Sequence, residues 1–118
     1  MSKVFTDVEV FLQACGQQHA NYPTGQNDLS RLYQNLIIEE YNEFRDALAA
    51  GNDAEQLDAC FDMMWVIIGY MKARGWDCES SWDEVAKSNL SKITILLFWA
   101  LNHLKTVKIL FTHIMVNM

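Results

Sequence analysis

Two short stretches of the chain carry acids where an ordinary helix surface does not favour them. The first is Glu39-Glu40-Tyr41-Asn42-Glu43. On a helix turning by about 100° per residue its three glutamates share an arc of roughly 100°. Glu39 and Glu43 are then a like-charge i, i+4 pair, which is destabilising unless a cation lies between them. In the second stretch Glu55, Asp58 and Asp62 share an arc of roughly 60°, and Asp62 directly precedes Met63-Met-Trp-Val-Ile-Ile68, the most apolar part of the segment. A carboxylate there loses solvation worth several kcal/mol unless it is paired or bound to a metal. No Lys or Arg occurs between Arg45 and Lys72 to pair with it. Each acid alone is explained by a solvated helix face; Glu39, Glu40, Glu43, Asp58 and Asp62 together predict a divalent-cation site. Glu55 competes with Asp58 for the last place, although an acid near a helix start also serves the helix dipole. Oxygen donors with neither His nor Cys beside them select Mg²⁺, with Mn²⁺ as the alternative.

An ion held this way keeps waters and takes phosphate oxygens as its remaining ligands, so the chemistry predicted is that of phosphates. Two such ions about 4 Å apart could polarise a phosphoryl group and activate water. One of the five carboxylates would act as general base, and Glu40 and Glu43 are the catalytic candidates. Other phosphate cradles are absent: the chain has neither G-x-x-x-x-G-K-[ST] nor G-x-G-x-x-G. His19, His103 and His113 are scattered and read as surface or packing residues. Cys15, Cys60 and Cys78 are too widely spaced for a zinc site and read as thiols in a reducing compartment.

The elements that must position these acids are helical. Val8, Phe11, Leu12 and Cys15 recur at helical spacing in a first helix from about Thr6 to Gln17. His19 to Asn27, with Tyr-Pro-Thr-Gly and several amides, is a connection long enough to lie over a ligand pocket. A second helix is predicted from Asp28 or Ser30 to about Ala50, stopped by Gly51-Asn52, and a third from Asn52 or Asp53 to about Arg74, stopped by Gly75. The third is apolar on nearly every side between Leu57 and Met71. Such a helix must be surrounded, and one subunit of this size can hardly do it. A fourth covers Trp82 to Ile93 and can run on. No segment alternates as a strand would.

This predicts an all-α fold, a bundle of four to five helices whose core is shared between subunits of a dimer or tetramer. A 118-residue chain that is 51% hydrophobic with one proline is a folded single domain and not a disordered one. Its net charge of −6 argues against nucleic-acid partners. All fifteen acids and seven of the nine basic residues precede Thr94, so residues 1–93 carry −8 and residues 94–118 carry +2. The chain therefore reads as a domain over 1–93 followed by an apolar segment over 94–118. Neither apolar run of that segment reaches the ~20 residues of a membrane span. A helix packed on the domain or interface is expected there, with no membrane partner, and the early acids and lack of an apolar core in the first residues argue against a signal peptide. A cytoplasmic protein is the expectation.

Three segments in order resemble a known family. Glu39-Glu40-Tyr41-Asn42-Glu43 is similar to the EExxE element of MazG-like and phosphoribosyl-ATP pyrophosphohydrolase-like proteins, which are all-α nucleotide pyrophosphohydrolases. Asp58-Ala-Cys-Phe-Asp62-Met-Met-Trp-Val-Ile-Ile-Gly69 resembles their second acidic helix. Trp82-Asp-Glu-Val-Ala-Lys-Ser-Asn-Leu-Ser-Lys92 resembles the V-x-x-S-N-x-S-K segment of one branch. The resemblance spans roughly Phe5 to Ile93. It implies hydrolysis of a nucleoside triphosphate, often a deoxynucleotide, between its α- and β-phosphates, in dimers or tetramers and in the service of nucleotide-pool cleaning. By position, Glu39, Glu40, Glu43 and Asp62 would bind Mg²⁺ and Asp58 would complete the acidic set. Asn89 and Lys92 would meet phosphates or sugar, with Lys87 a further phosphate candidate, and Phe11, Tyr22 or Trp65 could stack on the base. Two departures stand out: Ala59 occupies the position three before Asp62 where the family has an acid, and an apolar tail replaces a polar one. The alternatives are a phosphoribosyl-ATP pyrophosphohydrolase and, in a different class, a non-enzymatic helical interaction module.

Overall fold

A computed structural model of the chain describes residues 3–17, 20 and 22–117. It has five helices: α1 (Lys3–Ala14), α2 (Asp28–Ala49), α3 (Asp53–Ala73), α4 (Cys78–Asn102) and α5 (Leu104–Val116). No strand occurs among the described residues, and the fold is all-α. His19 lies outside the described residues. The contacts divide the chain into two compact units, Met1–Ser81 and Trp82–Met118. That division falls inside α4, ahead of the change in composition at Ile93.

In the first unit α2 and α3 form a helical hairpin across residues 50–52, and α1 lies against α3. The spacing of Phe5, Val8 and Leu12 puts all three on one face of α1, and all three are buried. They join Tyr33 of α2, Val66 and Ile68 of α3 and Cys78 in one core. Burying side chains of this size contributes about 1.5–3 kcal/mol each, which holds α1 to the hairpin. On α3 only part of the apolar surface is covered. Ala59, Val66, Ile68, Gly69 and Ala73 are buried, whereas Leu57, Phe61, Met64, Trp65 and Ile67 are exposed in the single chain.

The hairpin's ends are fixed by local chemistry. Asn27 caps α2: its side chain accepts from the Ser30 N–H at 2.8 Å while the Asn27 N–H donates to Ser30 Oγ at 2.8 Å. The same amide donates from Nδ2 to the Ala73 carbonyl at 2.9 Å, tying the start of α2 to the end of α3. Gly51 terminates α2 with φ +65°, its N–H donating to Leu48 O and that of Asn52 to Ala47 O. This pair of bonds uses a left-handed residue that glycine adopts without strain. Asn52 then caps α3 by accepting from the Glu55 N–H at 3.1 Å. Asn27→Ala is expected to lower stability by about 1–2 kcal/mol, read as a shift in the urea midpoint at unchanged slope.

Three boundaries differ from expectation. The first helix ends at Ala14, short of Gln17, where Gly16 turns the chain with φ +68°. The first helix begins at Lys3, where Lys3 Nζ reaches Asp7 Oδ2 at 2.6 Å across one turn. α4 begins at Cys78, a turn before Trp82, because the Asp77 side chain accepts from the Ser80 N–H at 3.1 Å; hydrogen bonding from the Ser80 side chain, and then from its N–H, holds the Asp77 carboxyl below its usual range. In the second unit α4 runs on to Asn102 and α5 follows after His103, with the large apolar side chains described there exposed.

Candidate metal centre

The hairpin brings together acids 22 positions apart in sequence. Glu40 and Glu43, one turn apart on α2, meet Asp62 of α3, and a carboxylate oxygen from each lies within 4.8 Å of the others. Glu39 and Asp58 do not belong to this convergent set, and both are exposed on their helices. Glu55 is exposed in the first turn of α3, where its N–H is capped by Asn52. Ala59, one turn before Asp62, is 3% exposed. The place where the resembled family has its second-helix acid is thus filled by a methyl group packed into the hairpin.

The charge balance within the cluster is unfavourable by itself. Glu40 is half-buried, and its Oε2 is buried without a hydrogen-bond partner. Burial raises its carboxyl above the ordinary value, and the charges of Glu43, Asp62 and Glu39 add to the effect. Among the described residues the ion pairs are Lys3 with Asp7, Arg31 with Asp28 and Lys72 with Glu9, and none reaches the cluster. A buried oxygen lacking a donor, amid three convergent carboxylates that no ion pair among the described residues reaches, fits a hard divalent cation. The donor set gives no reason to prefer Mg²⁺ over Mn²⁺.

A pH dependence follows from Glu40. In metal-free protein its native pKa exceeds the unfolded one, so the native state binds the proton more tightly. Stability from this group is fully present below the unfolded value and is lost as pH rises through the native one. Melting curves in chelator should therefore shift upward as pH is lowered from neutral toward the ordinary glutamate range. Added Mg²⁺ or Mn²⁺ should raise the neutral-pH melting temperature and remove that trend.

Lys87, Asn89 and Lys92 are exposed on α4 in the second unit, where Lys92 Nζ donates to Asn89 Oδ1 at 2.9 Å. Of the stacking candidates, Phe11 and Trp65 already contact each other edge to face at 5.5 Å, and Tyr22 is exposed. Two features of the first unit escape a reading of single helices. One is a groove of about 240 Å³ between α1 and α3, lined by Val4, Asp7, Val8, Phe61, Met64, Trp65 and Ile68. Its one advance sign is the surplus of apolar residues on α3. The other is an anchor for the connection before α2. Arg74 Nε donates to the Thr24 carbonyl at 2.8 Å, Arg74 Nη1 donates to the Tyr70 hydroxyl at 3.0 Å, and Gln26 Nε2 donates to that hydroxyl at 2.8 Å. At 1.5 Å per residue this anchor sits about 18 Å along α3 from Asp62.

Compared with protein families, the sequence matches the model described as phosphoribosyl-ATP pyrophosphohydrolase over residues 8–89. No curated protein matches it. The matched span holds Glu40, Glu43 and Asp62 and ends at Asn89, before Lys92.

Proposed function

Because the chain belongs to the phosphoribosyl-ATP pyrophosphohydrolase family, we propose that it hydrolyses the bond between the α- and β-phosphates of a 5′-triphosphate, releasing pyrophosphate and a monophosphate. The family's activity makes it a hydrolase of acid anhydrides. The observation that carries the site assignment is the convergence of Glu40, Glu43 and Asp62 within 4.8 Å around a buried, unpartnered carboxylate oxygen.

In this reading Glu40, Glu43 and Asp62 hold a divalent cation, Mg²⁺ or Mn²⁺, with Glu39 and Asp58 as outlying acids. Such an ion, when bound, supplies positive charge to phosphate oxygens that an acidic protein surface would otherwise repel. Glu43, the most exposed of the three, takes a proton from the attacking water at a carboxylate oxygen. Glu40, less exposed, positions the set. The family resemblance assigns Asn89, Lys92 and Lys87 to the phosphates or sugar.

Two substrates share the triphosphate unit. The family description favours phosphoribosyl-ATP. The segment Ser88-Asn89-Leu90-Ser91-Lys92, similar to a free-nucleotide branch, favours a nucleoside or deoxynucleoside triphosphate and a role in cleaning nucleotide pools within the cytoplasm. Pyrophosphate release by purified protein with Mg²⁺, measured against phosphoribosyl-ATP, dATP, dCTP and dUTP, separates them. Release from none of these would overturn the proposal. The exposed stripe Leu57, Phe61, Met64 and Trp65 supports a homodimer or homotetramer that completes the core.

A further inference from the structure

Although sequence alone predicts no membrane partner for this segment, we infer that residues 93–116 form an anchor that lies on an anionic lipid surface without crossing it. The apolar end of α4 has no covered face in its own unit. Ile95, Leu96, Leu97, Phe98 and Leu101 are all exposed, Phe98 by 71% and Leu101 by 73%. α5 is two-sided. At about 100° per residue, Leu104, Leu110, Phe111, Ile114 and Met115 fall within an arc of roughly 140°, with Lys105, Lys108 and Thr112 on an adjoining arc of about 60°. Those five apolar side chains are exposed as well. The remaining arc also carries His113, with the exposed Ile109 and Val116 interrupting it, so α5 has one wholly apolar side and one mainly polar, cationic side, as a helix lying in the boundary between headgroups and acyl chains needs.

Charge selects the partner. Residues 94–118 contain Lys105 and Lys108 and no acid, whereas residues 1–93 carry −8. A segment with cations alone complements a surface with anions alone. An acidic domain is repelled from that same surface, so contact falls to the tail. Among the described residues no helix is long and apolar enough to cross a membrane. A surface-lying attachment needs no such helix. Trp99 and His103, stacked at 4.6 Å, mark the junction of the two helices with rings suited to the headgroup level.

The test is flotation of the full chain with vesicles of phosphatidylcholine alone and of phosphatidylcholine mixed with phosphatidylglycerol. The full chain should float with the mixed vesicles and be released by added salt. Lys105→Gln with Lys108→Gln should weaken partitioning roughly thirty-fold, and Phe98→Asp with Leu101→Asp should abolish it. Both double variants should keep their helical circular dichroism and their pyrophosphate release from soluble substrate. Failure of the unaltered chain to float, or flotation indifferent to phosphatidylglycerol and to the lysine changes, overturns the inference. So does light scattering in which Phe98→Asp with Leu101→Asp breaks an assembly that never floated, since a second copy would then cover the tail.

Discussion

Replacing Glu40 by Gln, or Asp62 by Asn, should cut Mg²⁺-dependent pyrophosphate release by on the order of 100-fold or more, the scale on which a single electrostatic contributor to a transition state acts. Each change removes one of three convergent carboxylates while keeping the side chain's size. Stability should move the other way. Glu40 Oε2 is a buried oxygen without a donor, and its charge is opposed by Glu43 and Asp62, so Glu40→Gln should raise the melting temperature in chelator. The same variant should lose most of the stabilisation by Mg²⁺ seen in the unaltered chain. Glu39→Gln and Asp58→Asn lie outside the convergent set and should cost far less activity. A non-enzymatic helical module would show no Mg²⁺ effect on melting in either protein, and a stability scan in chelator and in Mg²⁺ distinguishes the two classes before any substrate is known.

Gly69→Ala should be among the most destabilising single changes in the chain, at about 3 kcal/mol or more. A Cβ on residue 69 would fall 2.2 Å from Tyr33 Cε1 and 2.6 Å from Cδ1. The ring has little room to move, because Tyr33 is 2% exposed and its hydroxyl donates to Gln17 Oε1 at 2.9 Å. The helices must therefore separate, which loosens the hairpin carrying the acids. Chemical denaturation should show a lower midpoint for Gly69→Ala, and Tyr33→Val in the same chain should restore part of the loss by vacating the ring's space. A Gly69→Ala protein as stable as the unaltered one would show that α2 and α3 do not approach this closely.

The helices were legible because their signals are local. Asn27, Asn52, Gly51 and Gly75 punctuate α2 and α3 within a residue or two of where they were expected. The site was legible in part. Helical periodicity places Glu39, Glu40 and Glu43 on one arc and Asp58 with Asp62 on another, but which acids meet depends on how the two helices are rotated against each other. That rotation follows from Gly69 admitting the Tyr33 ring and from Ala47 and Ala59 being buried, pair relations that no single-helix pattern contains. The early start of α4 was missed because its cap, Asp77, follows a tryptophan and so does not look like the edge of a polar turn. The groove between α1 and α3 and the Arg74 anchor have the same origin: each is made by residues far apart in sequence.

The three-residue connection between α2 and α3 bears on how the protein is made. Glu40, Glu43 and Asp62 belong to one continuous hairpin, so their meeting requires only a short loop to close, and contacts of that kind form early and fast. The acids are assembled in the part of the chain that needs neither α5 nor the apolar end of α4. Chemistry and attachment can thus change independently over evolution: substitutions within residues 94–118 can alter where the molecule resides without disturbing what it hydrolyses.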